Sequence, residues 1–449
     1  MRRRQACANV RDVNLSPVLA LAGLAAIGLL VTRLPLPARR RVPWLDPVLA
    51  AGGPLVLLGI ILGPGAVPGI GFLDGSLLRS FAPVTALAIG WIGAGLGAQF
   101  EWRSVRRISR RAWLLAALPS GAAFGAVALG AWMLTRALPA LAAAWTPRLA
   151  AILTLAAVAA VSGPGVVALV AREAGLRRST ARGLVLAASL ETLVGALLFF
   201  VPVALHRGDG LTTIAFAVGS TALVGVAFLS LMRVWPAGAD IGFAVLATLA
   251  FGAGVGYATG LSPFVVCALA AVVIVHASPP ARRHAIRRVL AEWERPVVAV
   301  LLVITGALLT LPTAWILLAV PFLAAARAAA KWAAVRYGVR TLPLAPVPLP
   351  LPPPPPPNIG LGTIAQGSVA VALGVAFLLL YGAPGGAAVL TTVVLGVACA
   401  LLAAPLLMTL ALRAPVVVSA PALPAPPAPL TESVEPAQLS VHTPVEAPR

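Results

Sequence analysis

Runs of about 20 apolar residues, the length a helix needs to cross a bilayer, recur from Ser16 to Leu412 with short loops between them. That pattern allows little besides a bundle of membrane-spanning helices, since hydrocarbon leaves each backbone N–H and C=O to be satisfied inside its own segment. A porin-type barrel would show short alternating segments instead, and none appear. Thirteen spans are expected, near 16–34, 47–64, 79–98, 112–135, 148–171, 182–205, 211–232, 240–258, 262–277, 296–311, 313–337, 359–381 and 386–412. The fold class is therefore all-α and polytopic. The 60% hydrophobic content and mean hydropathy of +0.98 agree with it.

A net charge of +20 would point to nucleic acid in a soluble chain. Here the arginines cluster in loops after odd-numbered spans: Arg39–Arg41, Arg103–Arg111, Arg172–Arg182, Arg282–Arg295, Arg336 and Arg340, and Arg413. The positive-inside rule makes those faces cytoplasmic, so no nucleic-acid partner is expected. An odd number of spans then leaves the N-terminus outside and the C-terminus inside an inner (plasma) membrane. Arg2, Arg3, Arg4 and Arg11 argue the other way, and the many loops outvote that one tail.

Two segments interrupt this regularity. Ser162-Gly163-Pro164-Gly165 breaks the fifth span near its middle, and Asn358–Ala370 opens the twelfth with Gly360, Gly362 and Gly367 among Thr363, Gln366 and Ser368. Broken helices at membrane depth, one in each half of a chain, point to a transport site built from inverted repeats; close helix packing by small residues is the alternative. Glu191, the one carboxylate well inside an apolar segment, follows the first break. A group costing about 2.5–3.5 kcal/mol to insert is a functional candidate where proton and cation compete, or else a hydrogen-bonded structural residue. Lys331, the chain's sole lysine, lies one helical turn after Arg327 within another span. It suits a site that must lose or share a charge, and it is also near enough to a span end to snorkel to the interface.

Cys7, Cys267 and Cys399 show no metal or redox spacing, His206 and His276 fall near span ends, and no catalytic triad or phosphate loop is visible. Neither an enzyme nor a bound cofactor or metal is expected. An N-terminal tail over 1–15 precedes the membrane domain at 16–413. Within that domain the Pro-rich loop 342–358 reads as a polyproline II spacer, and the Pro/Ala-rich tail 414–449 as disordered.

From Pro47 to Arg413 the chain resembles the monovalent cation:proton antiporters of the Kef-type and bacterial sodium/proton exchanger superfamily. The resemblance rests on the order of several motifs. These are Leu58-Gly-Ile-Ile-Leu-Gly-Pro64, Ile92-Gly-Ala-Gly-Leu-Gly-Ala-Gln-Phe-Glu101, Gly260-Leu-Ser-Pro263, Glu294-Arg-Pro296 with Gly306, Ala326-Arg-Ala-Ala-Ala-Lys331 and Leu361-Gly-Thr-Ile-Ala-Gln-Gly367. It implies a dimerisation bundle beside a core bundle with two crossing broken helices. It also implies exchange of Na⁺ or K⁺ for H⁺ and a homodimer in the lipid bilayer. Glu191, Thr192, Ser162 and Gly163 would bind ion and proton, Lys331 and Arg327 would compensate charge, and Thr363, Gln366 and Ser368 would come from the second broken helix. The family's Asn-Asp or Asp-Asp pair falls on Glu191-Thr192, so its second carboxylate is missing here. Two other functions therefore stay open: a transport-inactive sensor or scaffold, and an organic-anion transporter on the same fold.

Overall fold

The computed structural model describes residues 46–64, 75–100, 110–176, 178–234, 241–341 and 358–412, with Gly23, Ala26, Leu73 and Arg106 as isolated positions. The bulk of the expected first span, both tails and the Pro-rich loop up to residue 357 lie outside these. The helices are α1 (Asp46–Ala50), α2 (Gly53–Leu62), α3 (Gly75–Ser80), α4 (Ala82–Gln99), α5 (Arg110–Ala137), α6 (Pro139–Ala144), α7 (Arg148–Ala160), α8 (Pro164–Glu173) and α9 (Arg178–Leu198). They continue as α10 (Phe200–Arg207), α11 (Gly210–Val234), α12 (Ile241–Ala258), α13 (Pro263–Ala277), α14 (Pro280–Ala307), α15 (Trp315–Thr341), a 3₁₀ turn (Ile359–Thr363), α16 (Ser368–Tyr381) and α17 (Gly385–Leu412). No strand occurs among the described residues.

Each expected span from 47–64 onward coincides with helix, and three differ in form. The span at 47–64 is split because Gly52 turns the chain at φ 91°, a left-handed conformation that strains any residue with a side chain. The span at 296–311 is the end of a 28-residue helix whose first half carries the arginines, and Pro296 is accommodated inside it. The span at 182–205 is two helices, α9 and α10, meeting at Phe199. Among the described residues six helical segments, α9 and α10 counted as one, are long and apolar enough to cross a membrane, and α7 with α8, bent by 41° at their break, pass the same test as a pair. The chain thus has the build of a multi-pass membrane protein.

Two groups of helices lie side by side. In the first, α4 packs on α13 and α14, and α2 on α14. Here small residues let backbones touch: a Cβ on Gly97 would lie 2.9 Å from the Ala268 carbonyl carbon, and one on Gly59 2.8 Å from Gly306 Cα. In the second group, α5 packs on α7, α9 and α15, while α17 packs on α15, α16 and the 3₁₀ turn. The two broken segments cross inside this second group.

Candidate transport site at the helix crossing

Ending α7 in mid-membrane strands its last carbonyls, which no following helical turn can satisfy. Pro164 then starts α8 at the first position, where its missing N–H costs nothing. The stranded carbonyls are met from other elements. Gln366 Nε2 donates to Val158 O at 2.7 Å beside the Val161 N–H at 3.2 Å, and Arg327 donates to Ala159 O at 2.7 Å and Val161 O at 2.9 Å. Ser120 Oγ reaches Ala160 O at 3.4 Å, and Thr192 Oγ1 donates to Ser162 O. The third Arg327 bond, 2.6 Å to Ile364 O, ties the same guanidinium to the second break. Its charge also complements the negative C-terminal end of α7. Gly163 completes the crossing: its N–H donates to Ala365 O at 2.8 Å, and a Cβ there would sit 2.7 Å from Gly367 N and 2.8 Å from the Gln366 carbonyl carbon.

Beneath this lattice lies a charged cluster. Glu191 Oε2 accepts from Lys331 Nζ at 2.7 Å and from Ser162 Oγ at 2.5 Å, while Oε1 accepts from Thr363 Oγ1 at 3.1 Å. Lys331 Nζ also donates to Ser162 Oγ at 2.6 Å and Thr363 O at 3.3 Å, so each ammonium proton has a partner. The single Ser162 hydroxyl proton has a second acceptor within reach, Thr363 O at 2.6 Å. The Glu191 and Lys331 side chains are 2% and 0% exposed, which removes the snorkelling alternative for Lys331. With Arg327 counted, the ionised crossing carries one net positive charge.

The residues singled out in the sequence thus fall into three places. Glu191, Ser162, Lys331 and Thr363 meet in the cluster. Arg327, Gln366 and Gly163 hold the two breaks together, which makes Arg327 a backbone clamp as well as a compensating charge. Thr192 turns from the carboxylate to backbone carbonyls, Ser162 O and Ala188 O. Ser368 opens α16 beside a cavity and is half-buried there.

That cavity, about 830 Å³, runs from buried Thr192 and the Gly163 break out to exposed Arg172, Glu294 and Arg295, with Arg287 half-buried on its wall. Sequence reasoning assigned these arginines to topology alone. Their gathering from α8 and α14 depends on helix packing that no local pattern reveals. A second cavity of about 280 Å³ reaches Arg327 and Gln366 between α7, α15 and α17. Glu191 and Lys331 line neither. His206 packs edge-on against Tyr381 at 4.7 Å, and His276 bonds to Val272 O one turn back. Among the described residues no group of three or more His, Cys, Asp or Glu is placed to hold a metal ion.

The sequence matches no protein-family model and no curated protein. Among solved structures it is similar to the sodium proton antiporter MjNhaP1 from Methanocaldococcus jannaschii, with a TM-score of 0.56 at 15% identity over 88% of this chain and 98% of that one. At that identity the likeness speaks to architecture: the chain has the fold of a sodium proton antiporter.

Proposed function

We propose that the protein is a secondary active antiporter exchanging a monovalent cation, Na⁺ or K⁺, for H⁺. The observation that carries this reading is the buried Glu191–Lys331 pair where two broken helices cross. The Lys331 ammonium already occupies the place a cation would take on Glu191. Around it stand the Glu191 carboxylate, the Ser162 hydroxyl, and the Thr363 hydroxyl and carbonyl, all oxygen donors suited to a hard cation. If Lys331 releases a proton and withdraws, a metal cation replaces it with no change in the charge of the site. The protonated Lys331 side chain and the cation thus compete for one carboxylate, which couples cation entry to proton release, and Arg327 keeps the crossing assembled meanwhile. In this reading the Arg-lined cavity opens to the cytoplasm by the positive-inside rule. The chain works as a homodimer in the inner membrane with its N-terminus outside.

A transport-inactive sensor or scaffold is the second reading. The observation in its favour is Thr192, a hydroxyl turned onto backbone carbonyls where a second carboxylate would stand in the antiporters the sequence resembles.

Proton flux in vesicles of purified protein, with a pH gradient imposed and Na⁺ or K⁺ added, separates the two. Antiport requires cation-triggered flux in the wild type and none in Glu191→Gln. Equal flux in both would refute the role of Glu191, and absence of flux in both would favour the inactive reading.

A further inference from the structure

The large cavity has a charge of the wrong sign for a simple cation entrance. Among the described residues its walls carry three arginines, Arg172, Arg287 and Arg295, against one carboxylate, Glu294. Among the described residues the Arg172 and Arg295 side chains are exposed and make no hydrogen bond or salt bridge, so their guanidinium donors are available. Arg287 is held in place by donating to Ala98 O at 2.9 Å. At the buried end the cavity is lined by Gly165 and Ser368, the first turns of α8 and α16, where backbone N–H groups lack helical partners and the dipoles favour negative charge. Positive walls in a concave, partly desolvated space focus their field on whatever enters.

We infer that this cavity is a binding site for an oxyanion, a dicarboxylate or a phosphate. Guanidinium groups match planar carboxylate and phosphate oxygens in paired N–H···O contacts, which lysines could not provide. A volume of about 830 Å³ is ample for such an anion and its water. Once bound, the anion offsets positive charge on the cavity wall. The site stands on the cavity's own residues and does not depend on the exchange reading.

The test is titration calorimetry on the purified full-length protein in detergent, with succinate and inorganic phosphate as probes and chloride at matched ionic strength as control. One saturable site for succinate or phosphate is expected, and whichever binds more tightly identifies the source chemistry. Arg172→Gln with Arg295→Gln should weaken it about tenfold. Glu294→Gln, which deletes the opposing charge without adding bulk, should tighten it several-fold. No saturable binding in the wild type, or unchanged affinity in both variants, would return these arginines to a topological role alone. The readout needs no cation flux, so a failed antiport assay and a failed anion site remain distinguishable.

Discussion

The Glu191–Lys331 pair makes a quantitative demand on stability. Each partner is almost wholly out of water and each spends its hydrogen-bonding capacity inside the cluster. Removing one partner of such a pair leaves an uncompensated buried charge, typically a loss of about 3–5 kcal/mol. Lys331→Met should fall near the lower end, because the Arg327 charge remains one turn away and Glu191 keeps its Ser162 and Thr363 donors. Glu191→Gln should fall near the upper end, since it leaves two cations and no anion in the crossing. The double variant Glu191→Gln/Lys331→Met removes both charges together. It should cost no more than about 1–3 kcal/mol, the range for a repacked core site. The expected signature is a double variant more stable than either single one, with a coupling energy of about 5–7 kcal/mol, the two single losses of about 3 and 5 less the double variant's 1–3. Thermal unfolding of the purified protein, followed by the fluorescence of its ten tryptophans, reads the order directly. If the double variant unfolds at the temperature given by adding the two single shifts, the groups do not share charge and the pair is not the organising element of the site.

Other perturbations address the neighbouring residues. Thr192→Asp places a second carboxylate beside Glu191 and brings the crossing to zero net charge; it should lower the apparent KM for the cation about tenfold in vesicle flux. An unchanged or raised KM would show that the cation is not held next to position 192. Gly163→Ala drives a methyl into the Gly367 nitrogen and the Gln366 carbonyl carbon, and should cost about 1–3 kcal/mol and abolish flux. Gly165→Ala, two residues on with open space around its Cβ, should do neither, and equal damage from both would contradict the crossing geometry. Glu294, at the cavity mouth before the membrane-spanning part of α14, has its pKa raised by desolvation, an effect that the Arg295 charge opposes. A carboxyl whose folded pKa lies above its unfolded one contributes least once ionised, so this stabilisation is present in acid and lost as pH rises through the folded value. Glu294→Gln should therefore stabilise the protein modestly at neutral pH and leave its acid stability unchanged, as unfolding temperatures across pH would show.

Much of the architecture was legible because lipid imposes a simple rule on sequence: a crossing helix must be long and apolar, and exceptions stand out. Ser162–Gly165 and Gly360–Gly367 are such exceptions, and Glu191 and Lys331 are the charges that have no business at that depth unless they meet. What could not be read were relations between elements. Nothing near Arg327 in the chain signals that its guanidinium binds Ala159, Val161 and Ile364, because backbone carbonyls are present at every residue and carry no side-chain signature. Gly52 looked like one more small residue inside an apolar run, and only its left-handed backbone shows that the run is two helices. The arginines of the cavity satisfied the topological rule so well that a second role left no trace in their spacing.

The geometry at the crossing also bears on how a site so enclosed could work. Glu191 and Lys331 satisfy each other, and buried Thr192, next to Glu191 in the chain, lines the large cavity. A cation arriving there meets hydroxyl and carbonyl oxygens but no free charge until the ammonium leaves Glu191. The Arg327 and Gln366 bonds to the end of α7, and the close approach of Gly163 to Gly367, tie the two broken segments to each other and to α15. An access change that parted these segments would break several charge-assisted and backbone hydrogen bonds at once, whereas one that moved them together would break none of them. Opening of the site should therefore carry the crossing as a unit past the α4–α13–α14 group. A disulfide engineered within the crossing should permit exchange, and one joining the crossing to that group should arrest it.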